Sequence, residues 1–263
     1  MSNNKKTNAA VCSREGYEAA TALRALDRAG QCPQLKGHVH EIMFCDKYNL
    51  TPTNLIEGNH AALTNSTTAQ MRDVVMTKGG KIVGHAQLKD TVSNAGVRKT
   101  IEQIKGGKYA KTAVFGTEET AAKIAGKVTQ KVHSSGISSE TTTRIAAKAL
   151  GQMPSSTALA TVAKSGGVTG AMFGAGIEAV SSIGDVLNGK KKVSDAVIDV
   201  GGAAAKGAIN GSAAAAAGTT AAGVTGAALT TLGMTGGAMV FAPAVVGFGV
   251  AAAVGSFISG LFD

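Results

Sequence analysis

From Gly207 to Phe262 the chain carries no charged side chain in 56 consecutive residues. A run of that length does not make the outer surface of an ordinary domain in water; it packs on itself, on a partner or on lipid. Upstream the balance reverses. Residues 1–150 hold 21 Lys/Arg against 12 Asp/Glu, which accounts for the whole net charge of +9, whereas residues 151–263 hold five of each. The 263 residues therefore divide by chemistry into two regions of modest domain size, 1–150 and 151–263. The first can meet a polyanion in water, and the second suits lipid or close helix packing.

The second region reads as all-α and rich in Gly and Ala. Gly166, Gly170 and Gly174 recur every four residues, and Gly207 and Gly211 repeat the spacing. Such glycines share a helix face and admit a partner backbone, so a homo-oligomer through these helices is expected. Asn188-Gly189 predicts a helix end, Lys190–Lys192 a basic turn on the cytoplasmic side, and Ser194-Asp195 a following N-cap. Ala238–Ile258 is uncharged and long enough for ~30 Å of hydrocarbon, which makes it the candidate membrane span, with lipid contact expected over 207–262. The opening MSNNKKTNAA shows no apolar leader. The expected localisation is membrane-associated, or cytoplasmic with delivery to a target membrane. Cys12, Cys32 and Cys45 are odd in number and lack a CxxC pair, which argues for free thiols rather than a disulfide framework or a thiolate zinc site.

Residues 1–150 read as an α/β domain, a small mixed sheet flanked by helices. The pattern predicts helices over Arg14–Ala29, with Gly30 as C-cap, and over Lys36–Leu50, ended by Thr51-Pro52. A Gly/Asn/Thr-rich connection, 57–69, leads to strands at Met71–Thr77 and Lys81–Lys89, joined through Lys78-Gly79-Gly80 as a hairpin. A helix over Ser93–Lys105 with Ser93 as N-cap, a strand over Thr112–Phe115, a helix from Thr117 to about Val132 and a basic helix over Ser139–Leu150 complete it.

Strand side chains alternate, so Gln87 and Lys89 share a face, and a turn at Gly79-Gly80 puts Asp73 opposite residues 86–87. A carboxylate, an amide and an ammonium thus converge at one sheet end. With Glu41 on the preceding helix, this resembles the PD-(D/E)XK, or restriction-endonuclease-like, superfamily over about residues 36–130. The resemblance implies an αβββαβ core and a Mg2+- or Mn2+-dependent endonuclease. It makes Asp73, Gln87 and Glu41 the metal ligands, with the Leu88 carbonyl beside them, and Lys89 the residue that orients water or stabilises phosphoryl charge. The family more often carries Glu or Asp where Gln87 stands, and a neutral amide binds Mg2+ more weakly. The chemistry stands without the name, since phosphodiester hydrolysis needs a hard cation against phosphoryl charge.

His85 shares the face of Gln87 and is a candidate substrate contact. Lys99, Lys105, Lys108 and Lys111, continued by Lys123, Lys127 and Lys131, offer a basic track for DNA or RNA phosphates. His38 and His40 diverge on a regular helix, which argues against joint metal ligation; a helix-surface or phosphate-contacting place is expected for both. Two readings follow. One is a nuclease joined to a membrane-active region, as in a toxin, effector or defence protein. The other is a non-enzymatic pore or oligomeric membrane protein with an N-terminal recognition module.

Overall fold

The computed structural model describes residues 2–64, 71–151, 178 and 181–199. The chain divides into two compact units. Arg28–Ala146 holds the sheet, and the residues before Arg28 group with those after Ala146. In the second unit, helix α1 (Ser2–Ala29) starts twelve residues before the expected Arg14, because no Gly or Pro interrupts the polar stretch ahead of it. Helical residues at 181–187 and 193–199 flank the predicted turn at Asn188-Gly189. The latter begins at Val193, ahead of the expected Ser194 cap, with Ala196 N–H bonded to the Lys192 carbonyl. The remaining expectations for 152–263, including the Gly-spaced faces and the span at Ala238–Ile258, lie outside the described residues. Among the described residues no helix is long and apolar enough to cross a membrane.

The sheet unit is α/β, with five strands in the order β1-β2-β3-β4-β5. These are β1 (Asn59–Leu63), β2 (Val74–Lys78), β3 (Lys81–Lys89), β4 (Ala113–Gly116) and β5 (Val132–Ser134). The first three pair antiparallel, and β4 and β5 run parallel to β3. Gly79 and Gly80 both take positive φ, 55° and 78°, as a two-residue hairpin turn requires.

Helices cover both faces. Phe115 on β4 stacks 4.8 Å from Phe44 of α2 (Leu35–Leu50). Its neighbour Val114 points the other way, into a cluster with Val97 and Ile104 of α4 (Asn94–Lys105), Ile124 of α5 (Glu118–Ile124) and Tyr109. The Ser93 hydroxyl accepts the Gly96 N–H, so the expected cap of α4 is made.

Five elements differ from expectation, the first being β2, which starts at Val74 rather than Met71 and so leaves Asp73 just ahead of the strand. β1 lies inside the connection read as irregular. Its Ala-rich sequence carries no strand signal, but the Asn49 amide bonds both backbone groups of Ala61, at 2.7 and 2.9 Å, and blocks the open sheet edge. Pro52 opens a short helix, α3 (Pro52–Glu57), since a proline at the first helical position loses no hydrogen bond. Finally, α5 stops at Ile124 rather than near Val132; Gly126 turns the chain with φ 73°, and Val132–Ser134 becomes the edge strand β5.

Directly after the candidate site, buried Asp90 ties down the start of α6 (Ser139–Ala149). It takes Lys36 Nζ at 3.0 Å and the hydroxyls of Ser139 and Thr142, while Glu119 accepts the Ser139 N–H at 2.7 Å. This network holds the C-terminal end of β3 in place.

Candidate active site at the end of the hairpin

Asp73 sits one residue before β2, where the chain is held from both sides. Its N–H bonds the Ala86 carbonyl and its carbonyl accepts the Thr64 N–H, each at 2.9 Å. The pairing of Val74 with Ala86 then sets Asp73 against Gln87. Asp73 Oδ2 accepts the Leu88 N–H at 2.7 Å and the Gln87 amide N–H. Gln87 is only 4% exposed, and its Oε1 is buried with no hydrogen-bond partner.

Two residues on, Lys89 Nζ lies 5.0 Å from the centre of the Tyr109 ring. That ring is fixed by its hydroxyl, which donates to Gln103 Oε1 at 2.9 Å, and by Gln130, which bonds the Tyr109 carbonyl at 2.9 Å. From α2, Glu41 Oε2 faces His38 Nδ1 at 3.3 Å and Arg28 Nε at 3.6 Å. No family model, curated protein or solved structure matches this chain.

The electrostatics bind these groups into one site. Burial, and then the Glu41 charge, lift the Asp73 carboxyl from its ordinary 3.8 to about 6, against the pull of the Leu88 N–H, Lys89 and His38. Burial lowers the Lys89 ammonium, and the Asp73 and Glu41 charges hold it up. Two carboxylates that repel, beside a buried acceptor lacking a donor, suit a hard divalent cation. The donors are all oxygens, as Mg2+ or Mn2+ prefers. Among the described residues no three His, Cys, Asp or Glu side chains gather as a ready metal cluster.

The other residues singled out in the sequence scatter. Lys108 Nζ reaches 5.9 Å from the Tyr109 ring centre, and the Lys99 charge acts on the Tyr109 hydroxyl, so both border the site. Lys105 and Lys111 are exposed, and Lys123 caps the Val92 carbonyl. His85 is half-buried and pairs with Val75. A surface place for His38 and His40 is corrected, since both are buried. His38 serves Glu41. His40 bonds the Ser135 hydroxyl at 2.9 Å, and full burial followed by the Lys36 charge drives its pKa down to about 3.

Sequence reasoning missed Arg28 and Tyr109. Arg28 looks like any basic residue in a last helical turn, where the helix dipole favours it. The one available signal for Tyr109 was an aromatic between lysines in a Gly-rich turn.

Proposed function

We propose that Arg28–Ala146 is a metal-dependent nuclease unit of the restriction-endonuclease-like kind, hydrolysing phosphodiester bonds of DNA or RNA. One observation carries the reading: Asp73, Gln87 and the Leu88 N–H are bonded together at the end of β3, with Lys89 next along the strand and Glu41 close enough to perturb Asp73. The order α2, three antiparallel strands, α4 and a parallel β4 supports it, being the order that the sequence resemblance implies.

Mg2+ or Mn2+, held by Asp73, Gln87 Oε1 and Glu41, would neutralise phosphoryl charge and acidify a water. The chain's own groups do the rest. β3 and Thr64 fix Asp73 by three backbone bonds, two at its own backbone and one at its carboxylate, so the ligand is positioned before substrate arrives. Lys89 presents an ammonium against the charge that builds on the phosphorane oxygens, and the Tyr109 face restrains it. Lys99 and Lys108 extend the positive rim along which a backbone phosphate lies.

The uncharged run 207–262 would bring this unit onto a membrane, a reading supported by composition alone. The full chain, incubated with plasmid, linear DNA and RNA with and without Mg2+ or Mn2+, should cut only with metal, and Asp73→Ala and Lys89→Ala should abolish cutting. Equal cutting by both variants and the parent removes the assignment. Dye release from liposomes without any cutting would favour the pore reading instead.

A further inference from the structure

Arg28 brings a buried donor with no hydrogen-bond partner to the edge of the site. Its side chain is 15% exposed, its Nε is buried with no hydrogen-bond partner, and its ion pair to Glu41 Oε2 spans 3.6 Å. That distance is longer than an N–H···O bond, which closes at 2.7–3.2 Å. A guanidinium offers five N–H donors, and burying even the Nε–H without a bond is costly. Were Arg28 built to hold Glu41, the fork of donors would meet the carboxylate as two short parallel bonds. Instead it meets one oxygen at long range, and that oxygen already faces His38 at 3.3 Å.

We propose that Arg28 is the phosphate-binding arm of the site, swinging its fork from Glu41 onto the non-bridging oxygens of a bound phosphate. A tetrahedral oxyanion takes a guanidinium in two parallel bonds, which supplies the partners that the folded chain leaves out. The move does two things at once. It gives the buried Nε–H a partner, and it leaves the Glu41 carboxylate free to serve as a cation ligand. Arg28 lies in the last turn of α1, two residues before Gly30 with φ 62°. The assignment rests on the nuclease reading for the source of the phosphate, but not for the anion site itself.

The test uses the full chain carrying Asp73→Asn, so that nothing is cut, with and without Arg28→Gln or Arg28→Lys. Inorganic phosphate and a labelled duplex are the probes. Phosphate should slow hydrogen exchange at β3 amides in the parent and not with Arg28→Gln. Duplex affinity should fall roughly 10- to 100-fold, as for a lost charged hydrogen bond. The slope of log affinity against log salt should fall by about 0.9, one phosphate contact. An arginine that only braces the fold would leave that slope unmoved. Arg28→Lys should keep the slope and still lose affinity, because an ammonium cannot form the paired bonds.

Equal phosphate protection and an unchanged slope with Arg28→Gln would overturn the proposal. If Arg28→Gln fails to fold, Arg28→Lys decides: unchanged affinity overturns it, and a loss at constant slope supports it. Phosphate protection that depends on Arg28, in a protein that binds no nucleic acid, would keep the arm and remove the nuclease.

Discussion

Replacing Asp73 by Asn should stabilise the sheet unit, and the gain should depend on pH in a defined way. The folded carboxyl titrates near 6 and the unfolded one near 3.8. Between those values the folded chain keeps a proton that the unfolded chain has released, so stability falls as pH rises through the window. The full difference corresponds to ~3 kcal/mol; Asp73 is only partly buried, so about 2–3 kcal/mol survives solvent screening. Asparagine keeps an oxygen for the Leu88 and Gln87 N–H groups and has no charge for Glu41 to repel. Asp73→Asn should therefore exceed the parent by roughly 2–3 kcal/mol above pH 6, with the gap closing toward pH 4.

His40 pulls the other way. It stays neutral when folded, so its stabilisation is complete above 6.5 and is lost as pH falls toward 3. In the parent the two slopes oppose each other between pH 4 and 6. Asp73→Asn uncovers the His40 slope, ~1.4 kcal/mol per pH unit. Hydrogen exchange at β3 amides, corrected for the intrinsic rate at each pH, reads the unit by itself. A variant less stable than the parent at pH 8, or a gap that does not change with pH, would refute the reasoning.

Gln87→Glu should destabilise the unit without metal, by setting a third carboxylate against Asp73, and Mg2+ should restore it; titration calorimetry should show tighter Mg2+ binding than in the parent. His40→Gln should flatten the acid limb of stability between pH 6.5 and 4, measured by urea unfolding at each pH. Gly116→Ala should cost about 1–3 kcal/mol, because a Cβ there would stand 2.9 Å from the Ala121 nitrogen; a shift in urea midpoint checks it. Asp90→Ala should cost roughly 3–5 kcal/mol, since it takes the carboxylate away from a part-buried Lys36 and from the two hydroxyls of α6. Protection should then be lost at Ser139–Ala149 amides first.

What the sequence reveals and what it hides follows from the reach of the interactions involved. The hairpin, the Ser93 cap and the bounds of β3 were legible because each depends on neighbours a few residues away. The meeting of Asp73 with Gln87 was half legible: counting outward from Gly79-Gly80 puts Asp73 opposite Ala86, and only the bulge between Met76 and Thr77 shifts it by one onto Gln87. β1 was hidden, because an Ala-rich pentapeptide becomes a strand only when the Asn49 amide, ten residues upstream, takes both backbone groups of Ala61. β5 was hidden for a related reason: three residues pair with β4 after Gly126 has cut the helix short. Arg28 and Tyr109 reach the site from distant segments, and no periodicity records such a meeting.

Two aspartates in the same unit, Asp90 buried and Asp73 partly so, show why the site is best recognised by its discontents. Asp90 receives an ammonium and two hydroxyls and locks α6 in place. Asp73 accepts two N–H donors but also faces the charge of Glu41, which raises its pKa to about 6. Beside Asp73 stand an amide oxygen without a donor and an ammonium whose charge burial opposes, and on Glu41 rests a guanidinium whose Nε has no hydrogen bond. Each carries a stability cost, and structural ion pairs such as that of Asp90 show that this chain satisfies buried charge where only the fold is at stake. Clustered dissatisfaction of both signs at one strand end is what a site poised for a cation and an anion requires. Bound together, the two ligands would relieve all of these costs, so Mg2+ and phosphate should each raise the other's affinity; binding that is strictly independent would argue that they occupy separate places.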